Sequence, residues 1–62
     1  MQGSIYKVFQ TIFDLEPILF DSFDDFERYR ASSALLGFIC DFQYSYVDND
    51  NIPINCYLLR RL

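Results

Sequence analysis

The chain contains no histidine and no tryptophan. Without histidine it lacks the commonest general base and the commonest metal ligand. Cysteine is nearly absent as well, with only Cys40 and Cys56. Small secreted domains held by disulfides usually carry four or more cysteines, so these two read as reduced, buried thiols acting as small apolar residues. No metal and no cofactor are expected. With two glycines and two prolines in 62 residues, there is no room for a linker, and the sequence reads as a single domain spanning residues 1–62. Bases are scarce too. Lys7, Arg28, Arg30, Arg60 and Arg61 stand against nine acids, for a net charge of −4. That balance argues against nucleic acid or an anionic membrane as ligand, since both attract lysine and arginine. No apolar run reaches the roughly 18 residues that span a bilayer. The opening M-Q-G-S-I-Y-K lacks the basic-then-apolar plan of a signal peptide, so a cytoplasmic location is expected.

What the chain has in abundance is apolar surface. Hydrophobic residues make up 52%, including seven Phe and five Tyr. A chain this short buries only about 60% of its unfolded surface. Each aromatic that does reach the interior removes roughly 150–250 Å² from water, worth about 4–6 kcal/mol as an upper bound. A few such residues hold a domain of this size together. The remainder implies an apolar contact surface, in a homo-oligomer or toward a partner.

Residues 4–13 satisfy two patterns. Ile5, Val8, Phe9, Ile12 and Phe13 follow helical spacing, yet the residue types are β-branched and aromatic. A strand is expected, because a lone hairpin is marginal and a third strand completes a sheet. Being apolar on both sides, it belongs in the centre of the sheet or against a partner. The alternative is a helix here, giving two helices and a hairpin. Pro17 makes residues 14–21 a connection, in which Ile18, Leu19 and Phe20 can form a short extended piece beside the first strand. Ser22 then starts a helix over residues 23–36 by accepting from the amide of Asp25. Its apolar stripe is Phe23, Phe26, Tyr29, Ser33 and Leu36. Asp24 is placed to pair with Arg28, and Glu27 with Arg30. Gly37 suits the left-handed position that ends the helix.

A C-terminal hairpin follows. Phe38, Cys40, Phe42, Tyr44 and Tyr46 alternate with more polar residues, as do Ile52, Ile54, Cys56 and Leu58 after the turn at Asp48–Asn51. Joining the two apolar sets predicts a three- or five-residue loop, with Tyr46 opposite Ile52, Tyr44 opposite Ile54, Phe42 opposite Cys56 and Cys40 opposite Leu58. Pro53 lacks a ladder donor, which predicts an edge strand, at least at its start, guarded by Arg60 and Arg61. The expected fold class is α+β: a small antiparallel β-sheet of about three strands, including the C-terminal hairpin, packed against one α-helix. The helix is expected to rest on Phe38, Phe42, Tyr44 and Ile54.

No set of residues reads as an active site. Asp21, Asp24, Asp25 and Glu27 could be posed as acid–base partners, but so small a domain has little room for the pocket that splits carboxylate pKa values. They read as a solvated, capping helix face. D-N-D-N resembles the start of a calcium loop, but the later ligand positions fall on Ile52, Pro53 and Leu59, so it reads as a turn. Neither cysteine has a histidine to activate it. The chain is therefore expected not to be an enzyme.

The most distinctive stretch is D-L-E-P-I-L-F-D-S-F-D-D-F-E, residues 14–27, which holds six of the nine acids and no base. Carboxylates spaced along a loop and a helix start can imitate the phosphate row of DNA. The expected function is that of a small, acidic, non-enzymatic binding protein. It would inhibit or regulate a larger protein, with a DNA-handling one among the candidates, in the manner of phage or mobile-element inhibitors that act as DNA mimics. The expected partner-binding residues are Asp14, Glu16, Asp21 and Glu27, with Phe9 and Phe13. The alternative is a structural homodimer that hides Ile5, Phe9 and Phe13 or a sheet edge.

Overall fold

A helix that follows one edge strand and precedes the other decides the architecture. The computed structural model describes residues 3–10 and 16–62. Within them the order is β1 (Ile5–Gln10), β2 (Ile18–Phe20), α1 (Phe23–Leu35), β3 (Phe38–Val47) and β4 (Pro53–Arg61). One sheet has the spatial order β2-β1-β4-β3, with α1 against one of its faces. The fold is α+β, as expected, but with four strands. The short piece Ile18–Phe20 is a true strand, pairing Tyr6 with Phe20 and Val8 with Ile18.

The sheet is mixed rather than antiparallel. β2 and β3 lie at opposite edges, and α1 carries the chain from one to the other. Thirteen helical residues span about 20 Å, enough to cross three strand spacings of about 4.8 Å each. β1 is antiparallel to β2, and β4 is antiparallel to β3. The two inner strands then meet in parallel, with Ile5 beside Ile54 and Gln10 beside Leu59. The two-sided apolar pattern of the first strand is explained by this central position.

β4 is an inner strand, which corrects the edge position inferred from Pro53. The proline fits because it lies at the strand's first residue. There it faces only Val47 of β3, and pairing with β1 begins one residue later at Ile54. The long edge is β3.

The loop between β3 and β4 has five residues, 48–52, with Val47 opposite Pro53. Asp48 holds it: its carboxylate accepts from the amides of Asp50 at 2.8 Å and Ile52 at 3.0 Å. Asn51 takes a left-handed φ of 60°, a conformation asparagine tolerates. The pairs beyond the loop differ from those expected. Tyr46 faces Ile54 and Tyr44 faces Cys56, but Phe42 faces Tyr57 and Cys40 faces Leu59. Two residues of β3 are spent against one of β4, so Gln43 is the extra residue of a β-bulge.

The bulge inverts the facing of everything beyond it. Side chains alternate along a strand, so Phe38, Cys40 and Phe42 point to the helix, and Tyr44 and Tyr46 point away. On β4, Tyr57 and Leu59 face the helix, while Ile54, Cys56 and Leu58 face away. Of the four residues expected beneath the helix, Phe38 packs there, Phe42 faces that side but is 56% exposed, and Tyr44 and Ile54 are replaced by Cys40, Tyr57 and Leu59.

The core beneath α1 is Val8, Phe26, Cys40 and Leu59, ringed by Tyr6, Phe20, Tyr29, Phe38 and Tyr57. Phe26 is its centre and is fully buried. Its ring lies 4.7 Å from Tyr6, stacked, and 4.6 Å from Tyr57. Arg30 closes the layer from outside, 5.5 Å over Phe26 and 5.9 Å over Tyr57. Phe26 and Ser33 are the buried members of the helical stripe, whereas Phe23 is 56% exposed. The Asp25 amide donates to Ser22 Oγ at 3.4 Å, as the capping signal required. Gly37 ends the helix with φ +88° and donates to the Ala34 carbonyl at 3.1 Å.

Candidate interaction surfaces

The helix covers only one face of the sheet. Register puts Ile5, Lys7 and Phe9 of β1 on the other face, with Ile54, Cys56 and Leu58 of β4 and the bulge-turned Tyr44 and Tyr46 of β3. Leu19 of β2 joins them opposite Lys7. Tyr44 and Tyr46 stack at 6.1 Å between ring centroids, both on this face. Cys56 is nonetheless fully buried, and Ile54 nearly so. The exposed apolar rim is Leu19 at 61%, Tyr44 at 52% and Tyr46 at 41%. The Cys56 thiol pushes the Tyr44 phenol up from its ordinary pKa, chiefly by hydrogen bonding.

Charge on this open face is sparse. Arg60 and Asp41 form an ion pair across β4 and β3. Lys7 has no ionic partner among the described residues. Among the described residues, acids without an ionic partner on the helix layer and along the β2 edge lie away from this face. Arg28 takes Asp25 at 3.2 Å, not Asp24 as the spacing suggested, and Arg30 takes Glu27 at 2.9 Å. Glu16, Asp21 and Asp24 are exposed and carry no ionic partner among the described residues. Glu16 precedes β2, Asp21 follows it, and Asp24 opens α1 beside the exposed ring of Phe23.

The residues expected to bind a partner are therefore divided. Glu16 and Asp21 bracket the β2 edge. Glu27 is half-buried and tied to Arg30. Phe9 lies on the opposite, open face. Phe13 and Asp14 fall outside the described residues. Sequence reasoning passed over Asp24, Tyr44 and Tyr46. For the tyrosines one signal existed: Cys56, Tyr57, Leu58 and Leu59 form an unbroken apolar run, which marks a strand covered on both sides.

A shallow cleft of about 280 Å³ opens between α1 and β3, lined by Glu27, Arg30, Ala31, Ala34, Phe38, Ile39 and Cys40. Its two charged groups already satisfy each other. Burial pushes the Cys40 thiol up from its ordinary range, with Arg30 pulling the other way and Asp41 adding to the rise. A thiol so shifted is a poor nucleophile. Both cysteines are unpaired, and they sit on opposite faces of the sheet. Among the described residues, no group of three or more cysteines and carboxylates is placed to hold a metal ion. No helix among them is long and apolar enough to cross a membrane. Compared with known proteins, the chain matches no family model, no curated protein and no solved structure.

Proposed function

We propose that this chain is a non-enzymatic protein-binding domain of the cytoplasm, a small inhibitor or regulator of a larger protein that offers a basic surface. The reading rests on the segregation of charge. The unpaired carboxylates Glu16, Asp21 and Asp24 gather around the β2 edge and the start of α1, next to exposed Ile18, Leu19 and Phe23. A patch that combines carboxylates with apolar side chains steers a basic partner and then holds it by apolar contact. A DNA-handling protein fits that description. The carboxylate row offered to it is shorter than the sequence implies, because Arg28 and Arg30 neutralise Asp25 and Glu27.

The test is affinity capture from an extract of the source cells, at low and high salt, with the wild-type chain and with the triple variant Glu16→Lys/Asp21→Lys/Asp24→Lys. The expected result is a discrete partner that leaves as salt rises and fails to bind the variant, whose far-UV circular dichroism is unchanged. A partner retained equally by the variant, or none at any salt, removes the proposal.

A further inference from the structure

β3 is the outer strand on the side of the sheet away from β2, and among the described residues no strand pairs with its free edge. We infer that this edge is the interface between two copies of this chain, joined antiparallel about Cys40, so that Phe42 of each copy fills the cleft between α1 and β3 of the other.

The backbone sets the register. The Leu62 amide donates to the Gly37 carbonyl at 2.9 Å, which makes Gly37 and Leu62 a hydrogen-bonded pair. Along an antiparallel ladder such pairs alternate with pairs whose N–H and C=O groups point away from each other. Counting on from Gly37, Phe38–Arg61, Cys40–Leu59 and Phe42–Tyr57 are pairs of the second kind. Phe38, Cys40 and Phe42 therefore turn their backbone donors and acceptors to the free edge, and the bulge at Gln43 ends the run. Residues spaced evenly about Cys40 are their own complement under a two-fold axis. Phe38 meets Phe42 of the second copy, Cys40 meets Cys40, and every outward group of the run finds a partner.

The side chains fit the same register. Residues directly opposed in an antiparallel pair share one face of the sheet, so Phe42 of the second copy lies beside Phe38 on the helix side. That is where the cleft of about 280 Å³ opens, between Ala31 and Ala34 of α1 and Phe38 and Cys40 of β3. Phe42 faces the helix side of its own sheet, yet it is 56% exposed. An uncovered ring and an unfilled cleft thus sit on one molecule, at positions that the backbone register brings together. Glu27 and Arg30 at the cleft neutralise each other, so the ring meets no bare charge there.

Charge favours a second copy at this edge. Residues 38–47 hold no lysine, arginine or proline, the residues that keep an edge strand single. Their one acid, Asp41, is tied to Arg60. The exposed acids Glu16, Asp21 and Asp24 lie at the far edge and the start of α1. Joining β3 to β3 makes a sheet of eight strands with the two β2 strands seven spacings apart, about 34 Å. That is several times the Debye length of about 8 Å, so two chains of net −4 meet without setting these acids against each other. The β2 edge stays open on both copies, and the pairing is independent of whether its acids bind a partner.

Sedimentation equilibrium and amide hydrogen exchange of the purified full chain test this. The expected mass approaches twice the 7.4 kDa of the chain by about 1 mM. The amides of Phe38, Cys40 and Phe42 should exchange at least about tenfold more slowly at that concentration than in dilute solution, whereas those of Ile39 and Asp41, bonded to β4, are protected at both. Phe42→Lys should abolish association with the far-UV circular dichroism signal unchanged, and Leu19→Lys, on the β2 edge, should leave association intact. If Phe42→Lys loses its fold, Ala31→Leu, which fills the cleft from an exposed helical position, gives the same reading. A chain that stays monomeric at about 1 mM overturns the inference. So does a dimer whose three edge amides exchange as fast as in dilute solution, one that survives the loss of Phe42, or one broken by Leu19→Lys. Such a failure leaves the capture experiment on the acidic patch standing, and the converse also holds.

Discussion

Phe23 and Phe26 are the same residue type one helical turn apart, and the fold assigns them very different weights. Phe26 is fully buried, with rings of Tyr6 and Tyr57 within 5 Å and Arg30 above it. Phe26→Ala removes the transfer energy of the ring and leaves a cavity, together worth about 3–5 kcal/mol. Its ring pairs and the cation–π contact with Arg30 lie within that sum, because all of them vanish with the same side chain. A domain of this size has a total stability of roughly 3–9 kcal/mol. The variant should therefore sit near its unfolding midpoint in water. Phe23, 56% exposed, meets only the rim of the core, Tyr6 edge-on at 5.6 Å and the Phe26 ring at 6.4 Å. Phe23→Ala should cost about 1 kcal/mol or less. The assay is urea unfolding followed by far-UV circular dichroism or tyrosine fluorescence, since the chain has no tryptophan. Equal losses for the two variants, or a loss under about 1 kcal/mol for Phe26→Ala, would refute the placement of α1.

Three further outcomes follow from local structure. Ser22→Ala removes the acceptor for the Asp25 amide and should lower stability by about 1 kcal/mol in the same urea titration, with Ser22→Gly costing only a few tenths. Gly37→Ala meets no atom within 4 Å, so its loss, about 1 kcal/mol, should come from the left-handed φ alone and be partly recovered by Gly37→Asn. The Cys40 pKa is raised in the folded state, so folding favours the neutral thiol. Stability from this group is complete below the unfolded thiol's pKa, about 8.5, and declines as pH rises from there through the folded value. Urea midpoints taken from pH 7 to 10 should fall at the alkaline end, and the part of that fall due to Cys40 should vanish in Cys40→Ala.

The elements themselves were legible from local chemistry. Ser22 and Gly37 bracket the helix because a hydroxyl acceptor and a left-handed turn are needed at those two places. Asp48 to Asn51 make the loop because short amide and carboxylate side chains bind their own backbone. The pairing of Ile18–Phe20 with β1 was legible as well, since Pro17 ends any helix before it. Long-range arrangement was not. Nothing in residues 5–10 and 53–61 states that they run parallel; that follows from where α1 delivers the chain. Pro53 suggested an edge, when it needed only one residue without a neighbour on one side. The bulge at Gln43 has no glycine to announce it, and alternation continued unbroken through that residue assigns Tyr44 and Tyr46 to the wrong face. The interaction surface was accordingly read as one site built from acids and phenylalanines. In the fold Glu16, Asp21 and Asp24 lie along one edge and the helix start, while Phe9 and the two tyrosines lie on the sheet's open side.

That re-aimed pair of tyrosines is the centre of the account, and nuclear Overhauser spectra of the isotope-labelled chain examine it most directly. Within a chain, Tyr44 should show contacts to Cys56 and none to Phe26 or Tyr29. Intrachain contacts from Tyr44 to the helix would contradict it.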